Sequence, residues 1–248
     1  MITITVVNQK GGVGKTTTVH ALIDGLRQDG NRVLAIDLDG QRNLSLVMKA
    51  NTNKATVLGV LTGELPATQA IQHTESGADI IPASSKLTIL DDAIESGEEL
   101  REALEEVSGN YDYCIIDTPP MLCKRTLSAL IASQSVVIPA QASLFSLQGI
   151  DDLSDTIKAI QRERNKSLKV AGILLTASKE RTTAFKDARD LTAQLAEGLR
   201  TTVFETSIRD SVAVSKATFF KESIFQYAPK SPAAQDYRNF IEELKERI

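Results

Sequence analysis

The chain of 248 residues has no tryptophan, and aromatic residues make up only 4% of it. Hydrophobic residues still reach 42%, so a sizeable core must be assembled from aliphatic side chains, as sheet-and-helix packing allows. This composition disfavours an aromatic-rich binding surface. Cysteine is nearly absent too. Cys114 and Cys123 form neither a C-x-x-C pair nor a cluster-ligand set, which argues against an iron–sulfur centre. Cys114 falls inside an apolar run, where a thiol behaves as a small hydrophobe. His20 and His73 stand in no ligand spacing, so no zinc site is indicated. No apolar stretch approaches the ~18 residues of a membrane span. The chain begins in a β-branched run rather than a charged leader, so no secretory signal is expected and the protein is read as cytoplasmic. A net charge of −4 argues against a surface coated in positive charge.

What the chain does have is a glycine run between two lysines. Residues 10–17 read Lys10-Gly11-Gly12-Val13-Gly14-Lys15-Thr16-Thr17. They follow the apolar Ile2-Thr3-Ile4-Thr5-Val6-Val7 and open a helix-like segment from Thr17 to Arg27, the strand–turn–helix context of a phosphate-binding loop. Gly11, Gly12 and Gly14 can take positive φ, letting backbone N–H groups close around phosphate oxygens. The helix N-terminus adds unpaired donors and its positive dipole end. Lys15 is expected to reach the β- and γ-phosphates of a nucleotide, and the Thr16 hydroxyl to ligate Mg²⁺. The loop departs from the ordinary G-x-x-x-x-G-K-[ST] pattern, with Gln9 in place of its first glycine and Lys10 as a second lysine. Lys15 already serves the loop's own nucleotide. Lys10 is therefore expected to point outward to a phosphate held by another subunit, which predicts a nucleotide-sandwich dimer.

Strand-like runs recur at 2–8, 33–38, 78–82, 113–117, 135–140, 169–176 and 202–204. Helix-like segments separate them, at 15–29, 85–95, 98–107, 124–133, 146–164, 182–197 and 232–247. Alternating elements imply an α/β fold, a mostly parallel twisted sheet flanked by helices on both faces. The length suits one large domain over 1–248. Residues 44–76 lack a clear strand and are expected to form a small helical outcrop. Asp37 and Asp39 end the run Val33-Leu34-Ala35-Ile36, and Asp117 ends Tyr113–Ile116, so all three acids sit at strand carboxyl ends, where α/β sheets bind ligands. Carboxylates there suit Mg²⁺, which takes few protein oxygens and keeps several waters.

Lys10–Thr17 resembles the deviant Walker A box of the MinD/ParA group of ATPases, and Asn8–Thr18 looks most like its ParA (Soj-like) DNA-partitioning branch. Ala35–Asn43 is similar to the family's second box, and Tyr113–Pro120 to its Walker B segment. Pro139-Ala140-Gln141 with Ser146–Gly149, Leu174-Leu175-Thr176 with Arg181-Thr182, and Tyr227–Ser231 through Tyr237 also resemble this branch. The resemblance spans nearly the whole chain. It implies a Mg²⁺-dependent ATPase in which Asp37 and Asp117 hold the Mg²⁺ shell, Asp39 positions the attacking water and Thr17 touches the α-phosphate. Catalysis would then be positioning plus electrostatic stabilisation. It further implies an ATP-dependent homodimer, non-specific binding of double-stranded DNA, and a ParB-type centromere-binding partner that stimulates hydrolysis. The second box has Gly40 for the family's Pro and Arg42 for its Gly, changes that leave Asp37 and Asp39 intact. With little chain before the first strand, no N-terminal DNA-binding domain is expected.

Charge bears on the DNA expectation. Residues 158–189 carry nine Lys/Arg against Glu163, Glu180 and Asp187, a local balance of +6. Such a patch, with Lys186 and Arg189 in it, can bind phosphate backbones without reading sequence, in a salt-sensitive way. By resemblance, Arg181 is a DNA contact. In the segment Ile208–Ala217, Asp210 and Ala213 replace two family arginines, leaving Arg209, Lys216 and Lys221 to compensate. That segment also closes over the nucleotide in the family, which gives Arg209 a second expected role at the ATP site. The alternative is a MinD-like membrane-cycling or protein-cargo-positioning ATPase. The stripe Phe240, Ile241, Leu244 and Ile248 at the C-terminus is instead expected to face the core, and its polar face is too acidic for anionic lipid.

Overall fold

Side chains on successive residues of β2 (Val33–Asp37) point to opposite faces, and both faces are buried: Val33 and Ala35 join one apolar cluster, Leu34 and Ile36 another. A strand covered on both faces is the signature of a parallel sheet wrapped by helices. The computed structural model describes residues 1–89, 91–141, 144–179 and 182–248, with the backbone alone at 144–148. The other strands are β1 (Ile2–Val6), β3 (Gln72–His73), β4 (Asp79–Ile81), β5 (Tyr113–Asp117), β6 (Ser135–Gln141) and β7 (Lys169–Thr176). They form one seven-stranded sheet in the order β3-β4-β2-β5-β1-β6-β7. All pairings are parallel except β3 with β4 at the edge.

Helices α1 (Lys15–Gln28), α9 (Val212–Phe220), α10 (Ile224–Tyr227) and α11 (Pro232–Lys245) cover one face through Leu22, Leu26, Phe225, Tyr237 and Phe240. On the other, α3 (Val57–Leu61), α4 (Ala67–Ala70) and α5 (Glu99–Val107) pack over β2 and β5, while α7 (Leu144–Glu163) packs over β6 and β7. Helices α2 (Asn43–Val47), α6 (Lys124–Ala132) and α8 (Thr183–Gly198) complete the set. Helices α1 and α11 approach closely. A Cβ on Gly25 would collide with Ile241. Phe240, Ile241 and Leu244 are at most 3% exposed, so these three members of the expected stripe are spent on the core, whereas Ile248, beyond the end of α11, is exposed. Among the described residues, no helix is long and apolar enough to cross a membrane.

Three expectations need correction, and one helix was not anticipated. The helix anticipated at 85–95 is two 3₁₀ turns, Ser85–Thr88 and Asp91–Ala93, because Asp91 is drawn off to the start of α6, where it accepts the Lys124 N–H at 3.0 Å. The strand anticipated at 202–204 is a single bridge, Ile173 to Val203, since the chain turns there to pack Phe204 edge-on against Phe240. The outcrop at 44–76 holds short helices and also the antiparallel β3. Helix α9 carries apolar residues all round, including the exposed Val212 and Phe219, so no amphipathic stripe announced it.

Candidate active site

The carboxyl ends of three neighbouring strands line up: Val6 of β1 lies beside Asp117 of β5, which lies beside Asp37 of β2. Strands β5 and β6, consecutive in the chain, flank β1 on opposite sides, so this edge is a topological switch point, where open α/β sheets hold ligands. The glycine loop leaves β1 at that point. Gly12 (φ 74°) and Gly14 (φ 89°) take left-handed conformations that disfavour other residues. The loop is held from behind. Gln141 Nε2 donates to the Gly12 carbonyl at 2.9 Å, Thr176 Oγ1 to the Val13 carbonyl at 2.8 Å, and Lys15 Nζ to the Lys10 carbonyl at 2.9 Å. Asn8 donates to the Pro139 carbonyl at 2.8 Å and accepts the Lys10 N–H at 2.9 Å. With those carbonyls engaged and no side chain capping α1, backbone N–H groups are left to meet an anion.

Lys15 is 7% exposed, and burial lowers its pKa against the opposing pull of Asp117 and Asp39. Thr16 Oγ1 donates to Asp117 Oδ2 at 2.7 Å, while Asp117 Oδ1 is buried with no hydrogen-bond partner. Burial, with the Asp37 charge nearby, pushes the Asp117 carboxyl well up. Asp37 is likewise raised, to about 6, chiefly by burial and against the Ser45 hydrogen bonds. Its Oδ2 accepts from both the N–H and Oγ of Ser45, at 2.8 and 2.7 Å, and its Oδ1 accepts the Asp39 N–H at 3.0 Å. Asp37 thus braces the loop that carries Asp39, and Asp117 with Thr16 offers the more open oxygens. An unpartnered, buried carboxylate oxygen beside a threonine hydroxyl fits a hard divalent cation, whose charge would reverse both upward shifts.

A cleft of about 580 Å³ opens over these groups, lined by Gly11, Gly12, Gly14, Lys15, Thr16 and Thr17 on one side and by Asp39, Gln41, Pro120, Phe219 and Lys221 on the other. That volume suits a nucleotide-sized ligand. On the far flank of the loop, Gly12, Val13, Thr17 and Thr176 share a second recess with Arg209 and Tyr237. Arg209 is set there by a forked pair with Asp236, at 2.6 and 2.7 Å. Val13 itself is buried.

The residues expected at DNA are spread more widely. Lys186 and Arg189 stand on α8, where Lys186 is exposed and Arg189 reaches the Glu205 and Phe204 carbonyls at 3.4 and 3.3 Å. Lys216 is exposed on α9, and Lys221, ending that helix at φ 57°, is exposed too and also lines the cleft. Asp210 faces Lys179 at 3.9 Å. Arg181 lies outside the described residues. Sequence reasoning assigned no role to Asn8, Ser45, Gln141 or Thr176; their function is visible only where distant strands meet.

A glycine loop between a parallel strand and a helix, with its lysine and threonine set against a strand-tip aspartate, defines a P-loop nucleotide-binding protein. The AAA-domain family model matches residues 1–170. The chromosome-partitioning ATPase Soj of Thermus thermophilus is 36% identical over 246 residues, covering 99% of this chain and 96% of that protein. The chromosome partitioning protein ParA of Caulobacter vibrioides is 35% identical over 256 residues, covering 98% and 94%. Among solved structures, cobyrinic acid a,c-diamide synthase from Mycobacterium smegmatis, with bound ADP and magnesium, matches with a TM-score of 0.83 at 30% identity, over 98% of this chain and 93% of that one. The chain belongs to the ParA/Soj family of P-loop ATPases.

Proposed function

We propose that this protein is a partition ATPase, a single domain over residues 1–248 that moves plasmid, chromosome or mobile-element DNA by cycles of ATP binding and hydrolysis. The carrying observation is Thr16 against Asp117 at 2.7 Å, with Asp117 Oδ1 buried and unpartnered at the foot of the glycine loop. Lys15 gives up its bond to the Lys10 carbonyl and meets the β- and γ-phosphates, while the loop N–H groups and Thr17 hold the rest of the chain of phosphates. Thr16 and Asp117 would hold Mg²⁺, with Asp37 bracing them, and the ion would supply neutralisation of phosphate charge. Asp39, on the cleft wall, positions the attacking water, and Arg209 frames the recess beside Thr17. Lys10 reaches a phosphate of the second subunit, which makes ATP binding and dimerisation one event. The dimer binds double-stranded DNA without reading sequence, and a ParB-type partner stimulates hydrolysis and releases it. The protein is then cytoplasmic, and nucleoid-associated in its ATP state.

The alternative, a membrane-cycling ATPase, is disfavoured by the burial of Phe240, Ile241 and Leu244. Gel shifts on unrelated duplexes with ATP, ADP or no nucleotide, across a salt series, test the proposal. Binding confined to the ATP state and weakening steeply with salt supports it. Absence of DNA binding in every state, with ATP-dependent pelleting on anionic vesicles, overturns it in favour of the membrane reading.

A further inference from the structure

Arg125, in the first turn of α6, is a cation only 2% exposed, and none of the roles above uses it. Its Nε donates to Asp91 Oδ1 at 2.6 Å and its Nη1 to the carbonyl oxygen of Leu38 at 2.9 Å. Leu38 separates Asp37 from Asp39, and its own N–H donates to the Asp117 carbonyl at 2.9 Å. The residue that leads into Asp39 is thus gripped at both of its backbone polar groups, by β5 through the N–H and by Arg125 through the carbonyl. Arg125 is aimed in turn. The second oxygen of Asp91 accepts the Lys124 N–H at 3.0 Å, and Lys124 Nζ donates to the Asp92 and Ile94 carbonyls at 3.0 and 2.7 Å. Burial alone would raise the Asp91 carboxyl, but the bonds from Arg125 and Lys124 outweigh it and hold it below its ordinary range. An apolar side chain of similar volume would fill this space without desolvating a charge, so what the position uses is the arginine's fork rather than its bulk. The loop it holds has little slack, since a Cβ on Gly40 would collide with Thr88.

We propose that Arg125 is a positioning residue for hydrolysis: by holding the Leu38 carbonyl it fixes the direction of Asp39 over the cleft without touching the nucleotide. The proposal rests on the ATPase reading. The test uses the full chain with R125M and R125K, and three readouts: phosphate release, affinity for a fluorescent ADP, and hydrogen exchange at the amides of residues 39–42. R125M is expected to lower kcat about 10- to 100-fold, the cost of misplacing a catalytic group by about an ångström, with ADP affinity held within about twofold. Its 39–42 amides are expected to exchange faster than in the wild type. R125K, which keeps a charge opposite Asp91 and one of the two bonds, is expected to fall between the two in both readouts; it carries the test should R125M fail to fold.

If kcat and ADP affinity fall together in R125K, the effect is general destabilisation and the proposal is overturned. If the wild type hydrolyses ATP and R125K matches it in rate and exchange, the positioning role fails and the ATPase reading stands. If the wild type releases no phosphate, the ATPase reading fails and the catalytic role of Arg125 with it, whatever the exchange shows about the loop.

Discussion

The nucleotide cleft and the two cations of α8 that the proposal turns toward DNA, Lys186 and Arg189, are held in opposite ways. In the cleft, Asp37 and Asp117 are fully buried, Lys15 nearly so, and each is fixed by hydrogen bonds between 2.7 and 3.0 Å. On α8, Lys186 is exposed and Arg189 makes only long contacts to carbonyls. Transferring a phosphoryl group requires atoms placed to a fraction of an ångström, whereas neutralising a DNA backbone requires charge and reach. The first demand builds a rigid, desolvated site. The second would be met by loosely held side chains that keep their rotamer freedom.

The largest effects should come from removing single atoms in the cleft. Lys15→Met is expected to abolish measurable nucleotide binding, since Lys15 is the buried cation that lines the cleft within the glycine loop. Asp39→Ala is expected to lower phosphate release about 10²- to 10³-fold, while ATP still binds and still drives dimerisation by light scattering. If Asp39→Ala abolished binding too, the division between a binding loop and a water-positioning group would break down.

The second contrast is in stability. Asp37 is raised from an ordinary 3.8 to about 6, and Asp117 moves the same way. For a raised carboxyl the folded state favours the protonated form. Stability is therefore greatest below about pH 4 with respect to this group and is lost as pH rises through about 6. In the absence of nucleotide and Mg²⁺, the loss is on the order of 3 kcal/mol, or roughly 6–12 °C in Tm for a chain of this size. Thermal melts between about pH 4 and 7 check this, the slope lying between about pH 4 and 6 and levelling above, and Asp37→Asn should flatten it. Saturating Mg²⁺ and nucleotide should flatten it as well, by supplying the missing positive charge. A melt independent of pH in the wild type would mean that these carboxylates are better solvated than their burial implies.

Gly14→Ala should cost about 1–2 kcal/mol by strain alone, because an L residue at φ 89° is outside its comfortable range. A Cβ there would meet only Thr176, at 3.7 Å, so the penalty comes from the backbone rather than from crowding. Denaturant midpoints measure it directly.

How legible each region was follows from the same contrast. The phosphate loop lies in eight consecutive residues, Lys10–Thr17, so its chemistry is compressed into one readable string. Asp37 and Asp117 were readable as the ends of apolar runs, and the α/β class followed from alternation. The supports of the loop were not readable, because Asn8 meets Pro139 across 131 positions and Thr176 meets Val13 across 163. Arg125 reads as an ordinary surface residue of a short helix until the fold buries it. Helix α9 has neither a stripe nor alternation, and residues 85–95 lose their helix to bonds made with α6. Lys221 was readable only as part of a basic surface; that it also lines the cleft, exposed at the left-handed C-cap of α9, is visible only in the fold.

The smallest predicted effects belong to the basic face, and they sharpen the comparison most. Each lysine or arginine that neutralises one DNA phosphate releases about one counterion, so Lys186→Ala and Arg189→Ala should each reduce the slope of log K against log salt by roughly 0.9. Affinity should fall uniformly across unrelated duplexes, and in Lys186→Ala ADP binding and basal ATP hydrolysis should not change. Arg189 carries an extra consequence, since its contacts with the Glu205 and Phe204 carbonyls tie α8 to the segment before Arg209. A change in nucleotide affinity in Arg189→Ala, absent from Lys186→Ala, would identify that tie as a physical link between the proposed DNA contacts and the cleft. Two identical, purely electrostatic losses would instead show that Arg189 and Lys186 act only through their charge and that this tie carries no coupling.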